Sequence, residues 1–549
     1  MDIEGALVKL THAFVVASIA MTLVGCGGGG GGGGDGGGSP APSPGSPAPG
    51  PAVTLTPRGP IEVSAATGDA FTATLDVTVT ASGLSGSDRI FLRIRDTAST
   101  FETPTPQPAQ PDQTFRYALL PRNGLLPGNY LGQLEITPCR DGSCSATYGA
   151  AVRVSYRVDI SSLGEWTTIQ RDATHAGYVP TEFDPTRLQL AWEWRPPRDP
   201  ASVSGFVTRP VTGGGNVYIT GGSILSNGTQ RGLALYALND TSGRQIWSYT
   251  VPDSPRTLAP ASAAGLVLLP TLSDSTLLTA LAADTGAVRY KYAQTTTLGA
   301  QILPPSSFQG RTYFFAGVTG DEIHAMDNAT GQRLWARPRK DGAYATPTVN
   351  ASNVFYQAAN SLEILDLESG ATVASIADPS TTGDMTPLSS VVVLGSRGNA
   401  MMNSSGSPTR APITSFDIAG RRWQWTTAQS YLPLFAAGDG GVYGIRRTTA
   451  PTLDAIDESN GQVLWSWSPP ASDAQDEMVG NILITRNMVF VSTTGTINSW
   501  VWAIDRTTGR FAWRYPNGGY LAMSGSRTLL VLSGLPGDNY DAVRAFRVQ

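Results

Sequence analysis

At 549 residues, with 15% charged residues and a net charge of −5, the chain has room for several domains and lacks the basic excess of a nucleic-acid binder. Its 62 glycines and 39 prolines, set among frequent aromatic and β-branched residues, indicate an all-β protein rich in turns. Three cysteines and three histidines leave little material for zinc chemistry.

Residues 1–25 read as an export signal. Lys9 and His12 give a thin basic start, and Ala13–Val24 is an apolar stretch too short for a normal membrane-spanning helix. Leu23-Val24-Gly25-Cys26 resembles the bacterial lipobox, which implies a lipid on Cys26. Gly27, in place of Asp after that cysteine, implies the outer membrane. Residues 26–51 continue as a Gly run interrupted by Asp35 and then a Pro/Ser/Ala tract, a composition that builds no core. The Pro half reaches roughly 40 Å as a semi-rigid spacer.

Residues 52–160 are expected to form a small β domain. Strands are predicted at 53–56, 61–65, 71–80, 90–95, 115–120, 130–137 and 152–160, with an exposed Pro/Gln connection over 104–113. Val152, Val154, Tyr156 and Val158 alternate with Arg153, Ser155 and Arg157, the signature of a half-buried strand. Seven short strands with Gly/Pro turns suggest an immunoglobulin-like sandwich. Cys139 and Cys144 flank Arg-Asp-Gly-Ser. In an exported protein they are expected to form a disulfide that pins a hairpin turned at Asp141-Gly142. Closing so small a loop contributes about 2 kcal/mol. A zinc site would lack partners, since only His175 and His324 remain in the mature chain.

From 165 to 549 one hairpin pattern recurs: apolar–x–Ala–apolar–Asp, a turn with Gly, then an aromatic. The copies are Leu235–Trp247 (Gly243), Leu278–Tyr290 (Gly286), Ile323–Trp335 (Gly331), Leu362–Ala374 (Gly370), Ile413–Trp423 (Gly420, two residues shorter), Leu453–Trp465 (Gly461) and Val501–Trp513 (Gly509). Each Gly supplies the positive φ of a reversal, and each Asp can accept N–H bonds from its turn. One carboxylate per turn is too few for calcium, which takes 6–8 oxygens. Each Trp is expected to lie flat between neighbouring units, more loosely where Tyr290 and Ala374 replace it. The Trp-x-Trp pairs 192/194, 423/425 and 465/467 are interface material first, with a sugar platform as the competing use. Two half-hairpins remain, Ala191–Arg195 and Val543–Val548. Paired, they close an eighth unit and leave no free edge. Eight units of about 48 residues predict an eight-bladed β-propeller.

These repeats resemble the pyrroloquinoline-quinone (PQQ) type propeller repeat, Ala-φ-Asp-x-x-Thr-Gly-x-x-φ-Trp. The segment Trp166–Tyr178 is similar to the stretch that leads into such propellers. The resemblance implies one of two branches. Quinoprotein dehydrogenases hold the quinone and Ca²⁺ in the central funnel. The propeller lipoprotein of the outer-membrane β-barrel assembly machinery has no cofactor and acts by binding. The dehydrogenase branch commonly stacks an adjacent Cys pair on the quinone, and no cysteine follows Cys144 here. His175 is expected to cap a loop, His324 to be a structural strand residue, and Arg421-Arg422 and Arg446-Arg447 to be solvated edges. No catalytic constellation, metal set or phosphate loop stands out. The expectation is a lipid-anchored envelope protein that binds protein partners, without cofactor, metal or nucleic acid, its small-molecule ligand unspecified. A surface glycan or adhesion module and a quinoprotein oxidoreductase with an atypical site stay open as alternatives.

Overall fold

The structure, a computed structural model, describes residues 50–548 except 123, 252–257, 272–275, 294–302, 317–320, 341–345, 382–390, 404–410, 447, 449–450, 471–476, 479–480, 495–498 and 534–540. The expected signal, Cys26 and the Gly/Pro tract lie outside the described residues. Within them, regular structure is all β-strand apart from one 3₁₀ turn at Pro185–Arg187.

The first eight strands are β1 (Ala52–Pro57), β2 (Ile61–Ala66), β3 (Ala73–Ser82), β4 (Ile90–Asp96), β5 (Gln107–Ala109), β6 (Gln113–Leu119), β7 (Gly128–Cys139) and β8 (Val152–Ser161). They form a three-stranded sheet, β1-β3-β6, and a five-stranded sheet, β2-β8-β7-β4-β5. Alternation explains the shared core: Leu75, Val77 and Val79 of β3 face Val154, Tyr156 and Val158 of β8 in one buried cluster. Strand β5 falls inside the segment expected to be an exposed connection. It pairs only with β4, at the sheet edge, where Pro108 is tolerated because its missing N–H is not needed. Tyr156 closes one end of this core. Its hydroxyl donates to Asp96 Oδ1 and contacts Thr100 Oγ1, both at 2.8 Å. Asp96 also accepts the Ala98, Thr100 and Phe101 amides.

Cys139 and Cys144 are joined in a disulfide with Cα atoms 4.9 Å apart. The bond does not pin two facing strands as expected. Cys139 pairs with Thr147, while Cys144 sits at positive φ in the loop tip. Asp141 dictates this geometry, because its carboxylate accepts the Ser143, Ser145 and Ala146 amides and both serine hydroxyls. The loop curls around that carboxylate instead of extending as a ladder.

The rest of the chain forms eight successive antiparallel sheets of four strands, the innermost strand being split in the first and seventh. Seven of them span 202–250, 261–292, 306–338, 348–377, 393–426, 436–467 and 477–516. The eighth takes strands at 521–523, 529–533 and 542–548 and adds β9 (Leu188–Trp194), which precedes the whole array. Val543 lies opposite Trp194, and Ala545 opposite Trp192. The strand edges that each end of the array would expose are thereby paired with each other.

Successive sheets are stapled by an aromatic residue lying on the next turn glycine. A Cβ on Gly243 would lie 2.6 Å from the Trp192 ring. The corresponding distances are 2.6 Å for Gly286 on Trp247, 2.5 Å for Gly331 on Tyr290, 2.8 Å for Gly370 on Trp335, 2.6 Å for Gly461 on Trp425 and 2.7 Å for Gly509 on Trp465. In each case the ring's N–H or O–H donates to a turn carbonyl of that next sheet. Trp192 reaches Asp240 O at 2.7 Å, and Trp425 reaches Glu458 O at 2.9 Å. Two expectations need correction. Tyr290 does not loosen its junction, because its hydroxyl reaches Asn328 O at 3.1 Å as an indole would. The hairpin expected to be two residues shorter has the usual length: Trp425, opposite Ser415, is the stapling residue, Arg421 (φ +50°) takes the left-handed place expected of Gly420, and Trp423 is left 46% exposed. Ala374 has no ring to offer, and its junction is filled by Phe355, Ile376 and Phe416. Trp513 has no glycine turn to meet, because β9 and the C-terminal strand come from opposite ends of the array. It packs against Tyr515 and Phe546 instead.

Candidate functional site

Between β8 and β9 lies a segment, 163–179, with no strand periodicity and a large hydrogen-bonding debt. Its partners are the innermost strands of the array, taken in chain order. Thr212 N donates to Trp166 O at 2.7 Å, Ser262 N to Thr167 O at 2.8 Å, and Thr168 Oγ1 to Pro304 O at 3.4 Å. Val349 N then donates to Ala173 O at 2.7 Å, Leu394 N to Thr174 O at 3.0 Å, Ala437 N to Ala176 O and Ile484 N to Gly177 O, both at 2.8 Å. The eighth sheet contributes Gly525 O, which accepts from Leu163 N at 2.8 Å. One short segment thus bonds to each of the eight sheets or to its flanking turn. So tight a path needs left-handed backbone at Gln170, Arg171, His175 and Gly177. Glycine is required at 177, where a Cβ would stand 2.8 Å from Ile482 O.

His175 is wholly buried in this segment. Its Nδ1 lies 2.5 Å from Ile169 O, and its Nε2 lies 3.1 Å from Ser306 Oγ and 3.2 Å from Pro347 O. Burial holds its pKa below the usual histidine value, against the opposing pull of the two carbonyls. Ser306 and His175 have the spacing of a nucleophile and its base, but both are fully buried and the ring is backed by a carbonyl rather than a carboxylate. The arrangement orders the loop and offers a substrate no access. His324 is also enclosed, between Tyr292 OH and Glu322, each at 2.8 Å, in the third sheet.

The axial strand pieces that meet the segment are 211–213, 261–263, 306–308, 348–349, 393–394, 436–438, 483–484 and 521–523, and they contain no Asp, Glu, His or Cys. A calcium-bound quinone needs carboxylate and carbonyl oxygens converging on one ion, and the described residues do not fit that demand. Among them no group of three or more His, Cys, Asp or Glu is placed to hold a metal. The repeated aspartates serve their turns. Asp327 accepts both the amide and the hydroxyl of Thr330 at 2.8 Å, and those donors hold its pKa below the usual carboxylate value.

Arg446 is not a solvated edge. It forks onto the buried Asp454 at 2.6 and 2.9 Å, and Asp454 also accepts Tyr431 OH and Ser466 Oγ. Arg506, unremarked in the sequence because only its Asp neighbour fits the repeat, joins the sixth and seventh sheets. It donates to Tyr443 OH, to Asp439 and to the carbonyls of Gly438, Thr485 and Arg486, and its cation lies 5.5 Å from the ring of Tyr178 in the axial segment.

A family model described as outer membrane protein assembly factor BamB matches residues 175–402 and 409–539. Among solved structures, quinohemoprotein alcohol dehydrogenase from Comamonas testosteroni is similar in fold, with a TM-score of 0.51 and 15% identity over 70% of this chain and 80% of that one. BamB from Moraxella catarrhalis gives a TM-score of 0.49 and 15% identity over 66% of this chain and 99% of that one. No curated protein matches the sequence.

Proposed function

The chain belongs to the outer membrane protein assembly factor BamB family, and from that premise we propose that it is a cell-envelope scaffold that works by binding. In this reading the eight sheets are the blades of one closed propeller. Residues 1–25 are a cleaved signal, Cys26 carries the lipid, residues 27–51 are a tether, and residues 52–160 form an immunoglobulin-like spacer. The disc offers its surface to protein partners that assemble outer-membrane proteins. The observation that supports this most is the axis itself. Segment 163–177 makes hydrogen bonds to each sheet or its flanking turn, and the strand pieces that meet it carry no Asp, Glu, His or Cys. Strand ends of that composition, tied to one central segment, suit a surface that works by recognition.

Crosslinking in intact cells, followed by identification of captured proteins, tests the proposal. Enrichment of outer-membrane assembly components is expected. Capture of none of them, together with quinone- and Ca²⁺-dependent dye reduction by the purified protein, would replace it with the oxidoreductase reading. A second reading, a glycan-binding surface, is favoured by the exposed Trp423 alone. It requires Trp fluorescence to respond to a polysaccharide and to lose that response in Trp423→Ala.

A further inference from the structure

The eighth sheet is assembled from both ends of the array and lacks a turn between its last two strands. One of them ends at Val548 and the other begins at Leu188. Trp513 therefore meets no turn glycine, and among the described residues the junction of the seventh and eighth sheets goes without a ring-on-glycine staple. The N-terminal domain stands at this junction. A Cβ on its Gly124 would lie 3.5 Å from Val548 O.

The loop Thr67-Gly68-Asp69 makes the closer contact. Thr67 is anchored in its own domain, where its amide and hydroxyl both donate to Ser161 O, at 2.9 and 2.8 Å. Its carbonyl accepts the hydroxyl of the buried Thr181 at 3.4 Å. Gly68 (φ +88°) fits so tightly that a Cβ would run into Thr181 Oγ1 and stand 2.8 Å from Arg527 Nε. Asp69 pairs with Arg486 at 2.9 Å. Arg486 lies in the turn after the innermost strand of the seventh sheet, and Arg527 in the matching turn of the eighth. Residues 181–183 tie the same two turns together. Arg486 N donates to Thr181 O at 2.9 Å, Asn487 brackets the Phe183 backbone with bonds of 2.9 and 2.7 Å, and Arg527 donates to Glu182 O. A partly exposed ion pair holds little by itself. Shape does more, because the loop is seated where an added carbon has no room.

We propose that the N-terminal domain is a lock on the array, its loop 67–69 holding the turns of the seventh and eighth sheets against residues 181–183 where the staple is missing. The assignment is independent of the proposed function and gives the domain a task beyond spacing. It also fixes how the domain points. Ala52 pairs with Ser82, at the end of β3 away from the contact, and the ten residues of β3 span about 30 Å. The chain that precedes Ala52 therefore enters on the side of the domain turned away from the array.

Hydrogen exchange of the full chain beside its Gly68→Val and Gly68→Ala variants tests the lock. The Arg486 and Arg527 amides are expected to exchange at least about tenfold faster in Gly68→Val, and by a smaller factor in Gly68→Ala, the lesser wedge. The Gly286 and Gly331 amides, in turns held by staples, are expected to keep their rates. Spin labels at Gly86→Cys, beyond the far end of β3, and at Ala287→Cys, in the outer turn of the second sheet, report the docking itself. One narrow distance is expected in the otherwise unchanged chain and a broad distribution once Gly68→Val is added. A broad distribution in the former, or a narrow one that survives Gly68→Val, overturns the proposal. So does exchange at Arg486 and Arg527 that neither variant speeds, or an equal acceleration at Gly331, which would mark a general loss of stability.

Discussion

Arg544 donates its Nε–H to the Glu193 carboxylate at 2.8 Å, and the two residues are direct cross-strand partners. That pair straddles the seam at which the end of the chain meets β9. Cross-strand partners have Cβ atoms about 4.5–5.5 Å apart, close to the reach of a disulfide. The double variant Arg544→Cys with Glu193→Cys is therefore expected to form a crosslink under oxidising conditions. Mass spectrometry should find the peptide containing 193 joined to that containing 544. Recovery of both thiols alkylated would mean that the seam is open.

The aromatic staples predict a contrast between two glycines of the same sheet. Gly265 (φ +74°) has nothing within 4 Å of an added Cβ, whereas at Gly286 (φ +71°) a Cβ would stand 2.6 Å from Trp247. Gly265→Ala should cost about 1–2 kcal/mol from left-handed backbone alone. Gly286→Ala should cost about 1–3 kcal/mol more, because the ring must shift. Denaturant melts of the two variants side by side check the difference, and equal losses would contradict the staple.

Burial holds both His175 and His324 below the usual histidine pKa of about 6.5. Above 6.5 neither the folded nor the unfolded chain protonates them, and their neutral burial carries no proton penalty. As pH falls below 6.5 the unfolded chain takes up protons that the folded chain refuses, so stability falls, by about 1.4 kcal/mol per pH unit for each histidine. Urea unfolding at pH 7.5 and 5.5 should show lower stability at the acid end. His175→Gln should be less stable at pH 7.5 and show a flatter pH dependence. An unchanged slope would remove His175 from the account.

Tyr156→Phe deletes the hydroxyl between Asp96 and Thr100 and leaves a buried carboxylate short of one donor. The expected loss is about 1–3 kcal/mol, confined to the N-terminal domain. Calorimetry should show its transition moving down while that of the array stays in place. A shift of the array transition would mean that the two domains unfold as one unit.

The turn glycines were legible in six of the seven hairpins because positive φ is a local demand, met by the residue four places after the turn Asp, Asn or Ala. The register of the hairpin at 413–426 was not. Its glycine stands one place early, so the spacing pointed to a short turn ending at Trp423, whereas Arg421 (φ +50°) takes the left-handed place and Trp425 keeps the same span from Ile413 as Trp465 keeps from Leu453. The role of 163–179 was hidden for a different reason. Its similarity to a propeller lead-in said where the array starts, but its bonds run to strands scattered along the chain, as far as Gly525, 360 positions beyond Glu165.

The most direct test of the central claim is amide hydrogen exchange read across residues 163–179 and the inner-strand amides Thr212, Ser262, Val349, Leu394, Ala437 and Ile484. If this segment bonds each sheet in turn, these amides should exchange as slowly as the strand cores around them, and together. Rapid exchange of the segment, with the outer strands still protected, would show that the sheets do not hold it, and the scaffold reading would lose its main support.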